Sequence, residues 1–209
     1  MNLGLGNLIE LKRHLLNVSL QANTGYDAAI TAIGKGVAGR FEQYCNRSFF
    51  RTVGDLYETN CDRLVVMLPR YPVESITKVE VRSNISDGWQ DQGDPAQLLF
   101  NRRDYAGIVD VGGWLGGRYQ RLRFTYTGGF WFDTTEDFSG TQPVGSTLRP
   151  DELFLAWLTQ CEATWQLHDK LGRSIAEGPE SRRNMNLSGL TLVPEVEATL
   201  KNFIRYQMT

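Results

Sequence analysis

The spacing of apolar residues changes twice along this chain, and that double change restricts the fold more than any other feature. Up to about residue 45 the apolar side chains recur every three or four positions; from about 55 to 130 they alternate; past 150 the helical spacing returns. A helical framework interrupted by a β-rich hairpin insert satisfies this order, so the chain reads as α+β. The helical core consists of two N-terminal helices, 7–18 and 24–45, and a long apolar helix, 150–171, with a further tail helix at the C-terminus.

The helix boundaries follow from local chemistry. Asn7 is a capping residue three positions before Glu10, whose side chain can reach back to it, and Leu8, Leu11, Leu15 and Val18 share a face. After "QANTG" a second stripe runs through Tyr26, Ile30, Ile33, Val37, Phe41 and Tyr44. Gly34, Gly36 and Gly39 inside it each cost about 1 kcal/mol of helix propensity, which points to close helix approach, with a frayed or kinked helix as the alternative. Pro150 with Asp151 and Glu152 opens the third helix. Its two apolar stripes, Phe154, Trp157, Leu158, Cys161 and Trp165 beside Leu153, Leu167 and Leu171, predict packing on two sides.

Within the insert, "LYET", "RLVVML", "ITKVEVR", "GIVDV" and "RLRFTYT" read as strands. "LPRYPVES" is a stiff corner between two of them, because Pro69 and Pro72 cannot donate to a ladder and hold their neighbours extended. Residues 172–189 are polar and weakly periodic and read as a mobile connector. Beyond them, Pro194 starts a short helix with Val196, Leu200, Phe203 and Ile204 on one side. These features divide the chain into residues 1–171 and a tail, 172–209.

The composition excludes several classes. The chain of 209 residues has a formal net charge of -2, with 41% hydrophobic and 22% charged residues, so it lacks the positive bulk of a dedicated nucleic-acid binder. Three cysteines, Cys45, Cys61 and Cys161, fit neither a disulfide framework nor a zinc site. No long uncharged apolar run predicts a membrane span, and no basic segment ahead of an apolar one predicts export. No cofactor or metal is expected.

The motifs that could carry chemistry fail on inspection. "GGWLGGRY", 112–119, has the glycine spacing of a phosphate-binding loop, but Arg118 replaces its lysine, Tyr119 its hydroxyl residue, and a strand follows where a helix is required. It reads instead as a hairpin connection displaying Trp114 and Leu115. His14 and His168 have no acid or cysteine at ligand spacing along the chain, so no catalytic residue is assigned. Trp89, Trp114 and Trp131 near loops leave a carbohydrate-binding β module as an alternative. Arg121 and Arg123 lie on one face of a strand, with Arg118 close by; a solvated face or pairing with a neighbouring strand's acids is the preferred reading over phosphate contact.

The order of these parts resembles that of the gp6-like and gp15-like head-tail connectors, or portal adaptors, of tailed bacteriophages. "VAGRFEQYCNRSFF", "LPRYPVESITKVEV", "RLRFTYTGGF", "LRPDELFLAWLTQCEATWQLHDKLG" and "LVPEVEATLKNFIRY" carry the likeness in the family's order, the second being its most specific element. Two departures are Lys170 and Arg173 in place of an arginine near the end of the core helix, and a long excursion over 83–104.

The resemblance implies a non-enzymatic virion neck protein, assembled in the host cytoplasm into a ring, commonly dodecameric, under the portal protein. The ring would extend the DNA channel, touch DNA non-specifically, and offer a surface to the next neck or tail protein. Val196, Leu200, Phe203, Ile204, Arg205 and Tyr206 would dock on the portal, Trp114, Leu115 and Tyr119 would lie on a neighbouring copy, and Arg118, Arg121 and Arg123 would face the channel or an interface. Removing residues 190–209 is then expected to abolish docking and leave the fold intact. A tail-completion or stopper protein is the alternative within phage necks.

Overall fold

The computed structural model describes residues 1–16, 18–60, 65–84, 86–99, 101–111, 121–135, 137–177 and 191–205, and for 18, 101 and 168–177 the backbone alone. The chain forms two compact units: Met1–Cys45, Phe132–Gln142 and Arg149–Ile204 make the first, and Asn46–Trp131, Pro143–Leu148 and Arg205–Thr209 the second. The first unit contains all the long helices and the second the sheets. The mixed α+β class expected from the sequence is the class observed.

The helical unit is built from α1 (Leu8–Leu15), α2 (Asp27–Cys45), α4 (Asp151–Glu177) and α5 (Pro194–Lys201). At α1 the expected capping box is present: Asn7 Oδ1 accepts from the Glu10 N–H at 2.8 Å and Glu10 Oε2 from the Asn7 N–H at 2.8 Å. The helix ends at Leu15 instead of 18, and Val18 opens a separate 3-10 turn. The start of α2 is likewise a 3-10 turn, Thr24–Tyr26, capped by Asn23. Lys12 ties the two helices together, its ammonium donating to Asp27 at 2.6 Å and to the Asn23 carbonyl at 2.9 Å.

α4 is the centre of this unit, as its two apolar stripes predict. Leu153, Trp157, Leu158, Cys161 and Leu167 are all buried, and α4 packs on α1, α2 and α5. The helix continues to Glu177, beyond the expected end at 171, so the first part of the predicted connector is helical. Of the three costly glycines only Gly34 sits at a close approach: a Cβ there would lie 2.8 Å from Leu3 Cδ1 and 3.0 Å from Leu11 Cδ2. Gly36 and Gly39 face open space.

The second unit holds a four-stranded antiparallel sheet ordered β1-β7-β3-β4, formed by β1 (Thr52–Asn60), β3 (Val73–Arg82), β4 (Gln90–Asp91) and β7 (Arg121–Gly128). A three-stranded sheet of β2 (Val65–Met67), β6 (Ile108–Asp110) and β5 (Asn101–Arg103) accompanies it, with the short α3 (Pro95–Leu98) and a parallel pair, β8 (Phe130–Trp131) and β9 (Thr147–Leu148). Strand alternation sends Val79, Val81, Leu122, Phe124 and Tyr126 to one side, where they meet Val66, Leu68, Val109 and Val111 in a common core. The other side carries the charged residues.

The proline corner anchors this unit through its carbonyls. Pro69 O accepts from the Ser48 N–H at 2.9 Å and Pro72 O from the Gly129 N–H at 2.8 Å; the Tyr71–Pro72 peptide is cis. Gly128 is required by this approach, since a Cβ there would stand 2.7 Å from the Arg70 carbonyl oxygen and 2.9 Å from that of Pro72. Arg47 is buried beneath the corner, donates to the Tyr71 carbonyl, and stacks its guanidinium 3.3 Å from the Tyr71 ring centroid. Among the described residues no helix is long and apolar enough to cross a membrane.

Candidate functional site

The outer face of the four-stranded sheet concentrates the charge of the second unit. Its rows are set by register: Glu58, Arg123 and Glu80 stand side by side on β1, β7 and β3, and Asn60, Arg121 and Arg82 form the next row. Glu80 is nearly fully buried and accepts from Arg123 Nε at 2.8 Å and from Lys78 Nζ at 2.8 Å. Burial works to raise the Glu80 carboxyl, but the hydrogen bonds from Lys78 and Arg123 outweigh it and hold the group below the ordinary glutamate range. The Arg123 guanidinium is thus neutralised from within the chain, as the preferred sequence reading of the basic row anticipates.

Arg121 and Arg82 differ from Arg123. They face each other across β7 and β3, and neither forms an ion pair among the described residues. Arg82 lies 4.6 Å and Arg123 4.4 Å from the ring centroid of Trp89, which is held by cation–π contact with both. Both guanidiniums therefore occupy an aromatic surface that a sugar ring would need. Arg118, Trp114, Leu115 and Tyr119 lie outside the described residues.

The C-terminal residues are arranged differently from the expectation. Val196, Leu200 and Phe203 are buried inside the helical unit, where α5 packs against α4 and α2, so the apolar stripe assigned to a partner is filled by the chain's own core. Ile204 is half-buried. Arg205 donates to the Met67 carbonyl and, at 3.3 Å, to the Tyr57 hydroxyl. Tyr206 lies outside the described residues. The helical periodicity identified the stripe correctly, yet periodicity carries no record of whose core an amphipathic helix enters.

Three of the apolar side chains that reach solvent were not singled out by the sequence. On β1, an edge strand of the four-stranded sheet, Val53 is 69% and Leu56 60% exposed, and Leu155 projects from α4. Gly54, with φ of +67°, marks a bulge in β1 beside Val53.

Among the described residues, reactive groups do not converge. His14 lies 3.2 Å from Glu162, a carboxylate 148 positions away that chain spacing could not foresee, and both are partly exposed. Burial pushes the Cys161 thiol far up, away from the thiolate a nucleophile needs. Among the described residues no group of His, Cys, Asp or Glu is arranged to hold a metal ion.

No protein-family model matches this chain, and no curated protein does. Solved structures do. One chain of a structure described as the neck of an empty GTA particle computed with C6 symmetry superposes with a TM-score of 0.57 at 12% identity, covering 97% of this chain and 90% of that one. One chain from the virion of a native gene transfer agent (GTA) particle gives a TM-score of 0.60 at 13% identity, with the same coverage. The fold is shared over nearly the whole length, with little sequence in common.

Proposed function

We propose that this chain is a structural neck protein of a phage-like particle, a head-tail connector that assembles as a ring beneath the portal protein and continues the DNA channel toward the next neck or tail component. The observation that carries the reading is the shared fold: nearly the whole of both chains superposes, and the other chain is a component of a particle described by its neck. The six-fold symmetry stated for that assembly agrees with a ring of copies, and a dodecamer contains a six-fold axis.

The connector position is favoured over a stopper by the order of motifs, the proline-cornered "LPRYPVESITKVEV" above all. A carbohydrate-binding module has less support, since Trp89 is already stacked by two guanidiniums. Portal docking is assigned to the C-terminal segment, with one requirement. Val196, Leu200 and Phe203 are worth about 1.5–3 kcal/mol each where they now lie, so a portal surface that takes them must offer at least equal apolar burial. Trp114, Leu115 and Tyr119 are proposed to contact a neighbouring copy.

The test is electron microscopy of the purified chain, alone and mixed with the portal protein of the same particle. Closed rings, stacked coaxially on the portal, are expected. A chain that stays monomeric and leaves portal rings undecorated overturns the reading.

A further inference from the structure

We propose that Arg82 and Arg121 form an anion site on the outer sheet face that takes backbone phosphates of a DNA duplex. The proposal deepens the channel reading above and rests on it for the source of the duplex. Its origin is a contrast between two adjacent rows of the same sheet. In the first row Arg123 meets Glu80, and Lys78 closes the same carboxylate at 2.8 Å, so the arginine of that row is answered. In the next row Arg121 and Arg82 are directly opposite, and the third member of the row, on the edge strand β1, is the uncharged Asn60.

Like charges at directly opposed positions have their Cβ atoms roughly 4.5–5.5 Å apart and destabilise a sheet. Glu58 and Glu80 occupy the diagonal positions, but among the described residues neither forms an ion pair with Arg82 or Arg121. Arg82 Nε is buried and has no hydrogen-bond partner. A buried guanidinium N–H without an acceptor costs free energy, and Trp89 restricts the freedom of that guanidinium to turn toward another. Two arginines opposed in register, with no ion pair among the described residues, complement a group bearing two unesterified oxygens, which Arg binds through its fork of N–H donors.

A carboxylate supplied by a partner protein is the competing occupant. Phosphate is favoured because the sheet already supplies its own carboxylate where it needs one, at Glu80. A pair repeated around a ring also meets a uniform backbone in any register, whereas a partner's carboxylate would have to be presented at every copy in the same place. The hold of each subunit on the duplex is weak, which sliding requires.

The experiment measures fluorescence anisotropy of a labelled duplex of arbitrary sequence with the full chain over a salt series. The wild type is expected to bind at low salt, and in R82Q/R121Q the slope of log K against log salt should fall by about two, near 0.9 for each phosphate no longer neutralised. R82K/R121K should keep most of the slope. The glutamine variant should melt at or above the wild-type temperature, because a repulsion has been removed. Equal binding by wild type and R82Q/R121Q, or no binding by the wild type, overturns the proposal. So does a glutamine variant whose DNA affinity is unchanged while ring assembly or portal docking fails, the result a partner carboxylate predicts. Rings that form normally and ignore duplex sink the phosphate site alone; absent rings count against the neck reading alone, since anisotropy is read in either oligomeric state.

Discussion

The side chain of Gln160 and the backbone of Val193 are joined at 2.9 Å, the Val193 N–H donating to Gln160 Oε1 while Gln160 Nε2 donates to the Thr191 carbonyl at 3.1 Å. Gln160 is fully buried on α4, so both functions of its amide are committed to the two residues flanking Leu192. A buried amide in this setting needs both partners. The approach to α5 is thereby fastened to the core helix by polar bonds, and α5 itself by Val196, Leu200 and Phe203.

Truncation should therefore damage the fold, in contrast to the outcome expected for a free tail. Leu200→Ala should lower stability by about 2–5 kcal/mol. Deletion of 191–209 should cost more, because it also orphans the Gln160 amide. Urea denaturation followed by circular dichroism reads both; a truncated chain with the wild-type midpoint would show that α5 is dispensable to the helical unit.

The three glycines of α2 should respond in opposite directions to alanine. Gly34→Ala drives a methyl against Leu3 and Leu11 and should destabilise by roughly 1–3 kcal/mol. Gly36→Ala and Gly39→Ala meet nothing within 4 Å and should each stabilise by about 0.5–1 kcal/mol. Thermal midpoints of the three variants check this, and a common sign for all of them would contradict the packing described.

Glu80 should make the protein sensitive to acid. Its carboxyl is held below the ordinary glutamate range in the fold, so its contribution is complete above the unfolded-state value and is lost as pH falls through the folded-state one. Glu80→Gln should cost roughly 1–3 kcal/mol at neutral pH by leaving Arg123 and Lys78 without their carboxylate. Denaturant midpoints of wild type and variant should converge on acidification, and a gap independent of pH would remove the ion pair as its cause.

What the sequence made legible was local. The capping box of Asn7 and Glu10, the start of α4 after Pro150 and the inward set Leu122, Phe124 and Tyr126 each depend on neighbours a few positions away. The two- and three-residue strands β4, β5, β8 and β9 carry no period to detect. The partner of Arg123 was hidden for another reason: Glu80 is 43 positions distant, and only strand register joins them. Gly36 and Gly39 resemble Gly34 in composition, yet only Gly34 is approached by another segment. The stripe on α5 was visible as apolar, but burial in its own unit and burial in a partner require the same pattern.

The stowed position of α5 sets a clock on any event that recruits its stripe. Before Val196, Leu200 and Phe203 can meet foreign surface, the Gln160 bonds and the packing on α4 must open, a step in which no second molecule takes part. Association through the stripe would accordingly rise with partner concentration only to a ceiling, the rate at which the helix lets go, and that ceiling would climb steeply on warming.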